Sequence, residues 1–100
     1  MYLILLTFSE NRDQAPRFLD GHKAWIARGF EDGVFLLVGS LKPEGGGGIV
    51  AHGATLSEVR ERVQNDPFVA EDIVKADIVE ISPARADDRL SFLLGESAAP

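Results

Sequence analysis

Val34-Phe35-Leu36-Leu37-Val38-Gly39-Ser40-Leu41-Lys42-Pro43-Glu44-Gly45-Gly46-Gly47-Gly48-Ile49-Val50-Ala51-His52 is the stretch that decides the fold. Val34 to Val38 is an apolar run without polar interruption, and Ile49 to His52 is a shorter one. Both read as strands. The proline and four consecutive glycines between them mark a flexible hairpin loop. Upstream, Phe18, His22, Trp25 and Gly29 recur at helical spacing, with Leu19, Ile26 and Phe30 beside them. Pro16 suits the first turn of that helix, where a missing N–H is harmless. Downstream, Thr55-Leu56-Ser57-Glu58 is a capping box that opens a second helix to about Gln64. Asp66 then caps a short further turn with Pro67 at its first position. Tyr2 to Phe8 and Ile73 to Ile81 read as the first and fourth strands, and Pro83 ends the last. The order β-α-β-β-α-β is the ferredoxin-like split βαβ arrangement: a four-stranded antiparallel sheet with two helices on one face, of class α+β.

A sheet with one face in water alternates polar and apolar residues, and the first two strands do not. Something covers the second face. No third helix is evident in the sequence, so a second copy of the chain is the economical cover. The reading therefore expects a homodimer whose interface uses alternate residues of Tyr2 to Phe8 and Val34 to Leu41.

The chain has 100 residues and no cysteine. That length suits one domain with a radius of gyration of about 13 Å. A chain this small buries only roughly two-thirds of its unfolded surface, which makes association a natural source of stability. The domain is expected over residues 1–83, with 84–100 as a C-terminal extension. The extension is polar except for Leu90-Ser91-Phe92-Leu93-Leu94, and its end from Glu96 to Pro100 is expected to fray. The net charge of −6 argues against nucleic acid, which needs clustered Lys and Arg. The opening apolar run is too short for a membrane span or a signal core. The absence of cysteine fits a cytoplasmic location.

His22 and Asp66 are the candidate acid/base pair. His22 shares its helix face with Phe18 and Trp25, so its ring points towards the sheet. Neutral imidazole is a competent general base when a carboxylate orients it, and this fold lays the helix that precedes Asp66 beside the helix of His22. The bland alternative is a satisfied core histidine and a plain helix cap. Trp25 and Phe68 are candidate apolar walls for a ligand, and the Ser40 hydroxyl is a candidate lining group. His52 reads either as a second pocket residue or as a surface one. The four glycines lack the phosphate-loop pattern and read as a mobile loop, with a lid as one use. No thiolate, metal-ligand spacing or dinucleotide fingerprint is present, so any chemistry is expected to need no metal and no cofactor.

Three elements together resemble the YciI-like (YCII-related domain) family. They are Arg17-Phe18-Leu19-Asp20-Gly21-His22 after an opening strand, Gly33-Val34-Phe35-Leu36-Leu37-Val38-Gly39 before a glycine-rich hairpin, and Asn65-Asp66-Pro67-Phe68 before a closing strand. The resemblance covers residues 1–83. It implies a dimeric α+β barrel and a His-Asp active site at His22 and Asp66. Lyase chemistry on chlorinated hydroxy-aromatics is assigned within that family, and its fold is similar to that of muconolactone isomerases. Ser40 departs from the family pattern, in which proline often follows the glycine. Two functions are therefore open: a cofactor-free lyase or isomerase acting on a small, partly apolar molecule, or a non-catalytic ligand-binding or interaction module.

Overall fold

A computed structural model describes residues 1–97, and side chains through residue 95. The elements are β1 (Tyr2–Phe8), α1 (Ala15–Glu31), β2 (Phe35–Ser40), β3 (Gly47–Ala51), α2 (Leu56–Gln64), α3 (Pro67–Ala70), β4 (Val74–Glu80) and α4 (Phe92–Ser97), with short 3₁₀ turns at Arg12–Gln14 and Asp88–Leu90. One antiparallel sheet carries the order β2-β3-β1-β4. β1 is central, with Ile4 opposite both Ile49 and Ile78.

The core lies between the sheet and the helices. Tyr2, Ile4 and Leu6 alternate inward from β1 and meet Ile49 and Ala51 of β3 and Phe35 of β2. Trp25 of α1 and Val59 and Val63 of α2 close that layer from above. The helix of the capping box begins as its sequence predicts: the Thr55 hydroxyl accepts from Glu58 N–H, and Glu58 accepts from Thr55 N–H at 2.8 Å. α1 runs past Gly29, which lies buried inside the helix. The Phe35 ring fills the space a side chain at Gly29 would need, so this glycine sets how closely α1 approaches β2.

The sheet is open, which corrects the α+β barrel that the family resemblance implied. β2 and β4 are the edges and do not pair with each other. Closure requires the edge strands to meet at a consistent tilt and stagger. Four strands with helices packed on one face leave two edges.

The hairpin also differs from its sequence reading. Strand β3 begins at Gly47, two residues earlier than expected, so half of the glycine run is ladder rather than loop. Gly47 and Gly48 pair with Leu6 and Leu5 of β1. A further helical segment, α4, exists where the sequence showed only a short apolar patch. Leu93 is buried, and the Phe92 ring meets His52 edge-on with centroids 5.4 Å apart. His52 follows Ala51, so strand alternation places it on the sheet face away from α1 and α2. α4 carries the helix through Ser97, and the rest of the expected frayed end, residues 98–100, lies outside the described residues. Among the described residues no helix is long and apolar enough to cross a membrane.

Candidate active site

Three local decisions bring the site together. The helical stripe of α1 turns His22 towards the interior. Trp25, one turn on, ties α1 to the end of α2: its indole N–H donates to the Arg62 carbonyl at 2.9 Å. The chain then leaves α2 at Asn65, and Asp66 takes an extended conformation, as a residue before proline prefers. Its carboxylate caps α3, with Oδ1 accepting from Phe68 N–H at 3.0 Å.

Gly21 completes the approach of α3 to α1. A Cβ on Gly21 would stand 3.0 Å from the Pro67 ring, tighter than side chains normally pack. A glycine inside a helix costs about 1 kcal/mol against alanine. Here it lets Pro67 sit against α1 one residue from His22, which places Asp66 within reach of the imidazole.

His22 Nδ1 lies 2.8 Å from Asp66 Oδ1. Asp66 is fully buried, whereas the His22 side chain keeps 14% of its surface exposed. A carboxylate only accepts, so the shared proton belongs to Nδ1; in the neutral imidazole Nε2 then carries the lone pair. Phe68 stacks on the imidazole with centroids 4.0 Å apart and planes within 3°. The Trp25 ring stands behind at 6.0 Å. The histidine therefore has one nitrogen committed to a buried carboxylate, its plane held by a parallel ring, and its second nitrogen available.

His22 lines a cavity of about 330 Å³ between α1 and the sheet. Its walls are mainly apolar: Leu19 and Ile26 from α1, Leu6 and Phe8 from β1, Val38 from β2, with Phe68 and Val74. Ser40, Gly46 and Gly47 form the hairpin side. Pockets of this size and character hold small molecules.

Of the residues singled out from the sequence, His22, Phe68 and Ser40 line this cavity, and Asp66 stands directly behind His22. Trp25 lies one ring back, in a separate polar cleft with Arg28, Asp32 and Arg62. His52 lies at the end of β3 against Phe92. The Asp32–Arg62 ion pair in that cleft, at 2.9 Å, is solvent-exposed and of small energetic consequence. Gly46 and Gly47 are walls that the sequence reading did not assign. Their signal was present as four consecutive glycines, but composition alone does not tell a loop from a bare strand. Among the described residues no three His, Cys, Asp or Glu side chains gather around a common point.

No family model and no curated protein sequence matches the chain. A solved structure does: 5-chloro-2-hydroxyhydroquinone dehydrochlorinase (TftG) from Burkholderia phenoliruptrix, in complex with 2,5-dihydroxybenzoquinone. The TM-score is 0.67 at 15% identity, over 80% of this chain and 91% of that one. What this likeness shows is the fold: the chain shares the architecture of that dehydrochlorinase.

Proposed function

We propose that this chain is a YciI-like, cofactor-free proton-transfer enzyme, a lyase or isomerase acting on a small, partly apolar, hydroxylated molecule. The observation that carries the reading is the 2.8 Å contact of His22 Nδ1 with a fully buried carboxylate, on a histidine that lines an apolar cavity. Nε2 accepts a proton from the substrate. Asp66 holds the Nδ1–H tautomer and favours the imidazolium as it forms. In a lyase, the electron pair of the broken bond forms the new double bond, and the leaving group departs with its own pair. In an isomerase, Nε2 returns the proton at another atom. Ser40, which lines the cavity, is the group assigned here to meet a developing oxyanion. The shared architecture with a dehydrochlorinase, whose complex contains a dihydroxybenzoquinone, supports a hydroxylated ring as the first substrate class to test.

The test is turnover of a panel of hydroxy-aromatics and lactones by the wild type, His22→Ala and Asp66→Asn. Loss of a positioned proton-transfer group is expected to lower the rate about 10²–10⁴-fold. Full rate in both variants overturns the mechanism.

One observation favours the second reading, a non-catalytic ligand-binding module. Asp66 already has a structural task, because the oxygen that meets His22 also caps α3. A pair that serves only structure predicts no turnover by the wild type across the panel, although the wild type still binds ligand in the cavity.

A further inference from the structure

The glycine run raises a question that the proton-transfer pair does not answer: why four glycines in succession. Two sit in the hairpin turn with positive φ, Gly45 at 89° and Gly46 at 90°, and a Cβ on Gly46 would collide with the Leu6 carbonyl. Gly48 faces the outer side of the sheet, where a Cβ would stand 3.2 Å from Leu41. Backbone geometry or crowding accounts for each of these three. Gly47 is different. It lies in β3 without a positive φ, and a Cβ there would meet only the Gly39 carbonyl oxygen, at 3.7 Å, an ordinary contact. Neither conformation nor local packing demands glycine.

Glycine inside a strand weakens it and often marks a place where a ligand comes close to the backbone. Alternation along β3 puts Gly47 on the same face as the buried Ile49 and Ala51, under the helices. Its ladder partners are Leu6 and Ser40, and all three line the cavity of His22. The missing side chain is therefore cavity space.

We infer that Gly47 is the position that sets ligand size in this cavity: the ligand lies over the bare backbone of β3, between Ser40 and His22. The inference rests on reading the cavity as the ligand site, and it does not require the His22 proton transfer. A side chain at Gly47 should leave the sheet intact, or strengthen it, while shortening the cavity. A structural glycine would behave in the opposite way.

The experiment titrates phenol and 2-naphthol into the wild type, Gly47→Ala and Gly47→Val. It follows the His22 ring proton resonances, assigned by their loss in His22→Ala, with thermal melts of each protein. The wild type is expected to bind both probes. Gly47→Ala should retain phenol and weaken 2-naphthol roughly tenfold or more, the scale of a single-carbon misfit in an apolar pocket. Gly47→Val should weaken both, and both variants should melt at or above the wild-type temperature. Should the valine fail to fold, the alanine variant decides. Wild-type affinity for both probes in the variants, weaker binding only alongside a lower melting temperature, or no binding by the wild type overturns the inference. His22→Asn separates the two readings. If it turns substrate over at full rate while Gly47→Val rejects the probes, proton transfer by His22 is wrong and the size-setting role of Gly47 stands.

Discussion

Phe68 holds both halves of the His22–Asp66 pair. Its ring lies parallel to the imidazole at 4.0 Å, and its backbone N–H donates to the Asp66 oxygen that meets Nδ1. Truncation to alanine should cost about 3–5 kcal/mol, as for other buried aromatics. Phe68→Leu keeps most of the bulk but not the flat face. It is expected to remain folded and to lower kcat more than it raises KM. Steady-state kinetics with urea unfolding check this; a rise in KM alone would reduce Phe68 to a passive wall.

Cutting the pair from either side should have unequal effects on stability. His22→Leu leaves a buried carboxylate with only its capping N–H, and removing one member of a buried pair typically costs about 3–5 kcal/mol. Adding Asp66→Asn should recover part of that loss, because the remaining side chain is neutral and can still cap α3. A double-mutant cycle by urea denaturation is expected to give a coupling of about 1–3 kcal/mol. Strict additivity would show that the 2.8 Å contact has little energetic weight.

Gly21 offers a test of helix spacing. Gly21→Ala gains about 1 kcal/mol of helix propensity. It also presses a methyl against Pro67. The two effects should nearly cancel in stability while the rate falls, since α3 carries Asp66. Gly21→Leu should destabilise by about 1–3 kcal/mol, as overpacking does. Unchanged activity in both variants would mean that the α1–α3 distance does not set the geometry of the pair.

Acid sensitivity should trace partly to the capping box. The Thr55 N–H donating to Glu58 holds that carboxyl below its usual value of 4.5, with a smaller lowering from the Thr55 hydroxyl. A depressed folded-state value means stability that is present above the unfolded value and lost as pH falls through the folded one. Urea unfolding between neutral and acid pH should therefore show a loss beginning near 4.5 that Glu58→Gln flattens. Thr55→Ala should cost about 1 kcal/mol at neutral pH.

We propose a homodimer through the outer sheet face. Leu37 is 58% exposed and Val79 45%, on the side away from the helices, with Leu3, Leu5 and Val50 half-buried between them. Light scattering at micromolar concentration is expected to give a dimer that Leu37→Lys with Val79→Lys converts to a folded monomer. A wild type that is already monomeric removes the proposal.

Much of this architecture was local and therefore legible in the sequence. The stripe of Phe18, His22, Trp25 and Gly29, the Thr55–Glu58 box and the Asp66-Pro67 step each act within a turn or two of chain, where propensity and capping dominate. Their order alone specified two helices on one face of four antiparallel strands. Asp66 was legible as a cap for the same reason.

What crosses the chain was decided only by tertiary structure. His22 and Asp66 are 44 positions apart, and their contact depends on the Gly21–Pro67 approach and on the Trp25 bond to Arg62. A glycine inside a helix signals close packing, but nothing local names the partner on the other side. The sheet's openness depends on which edges meet, a long-range matter that element order does not settle. The glycines at 47 and 48 read as loop because glycine has low strand propensity, but pairing with Leu6 and Leu5 overrode it. The segment at Phe92 and Leu93 was too short to register as a helix, because an isolated helix of that length is unstable in water. Packing beside His52 and burial of Leu93 gave it order. Local sequence set what each segment is; burial and close approach between distant segments set where each one lies.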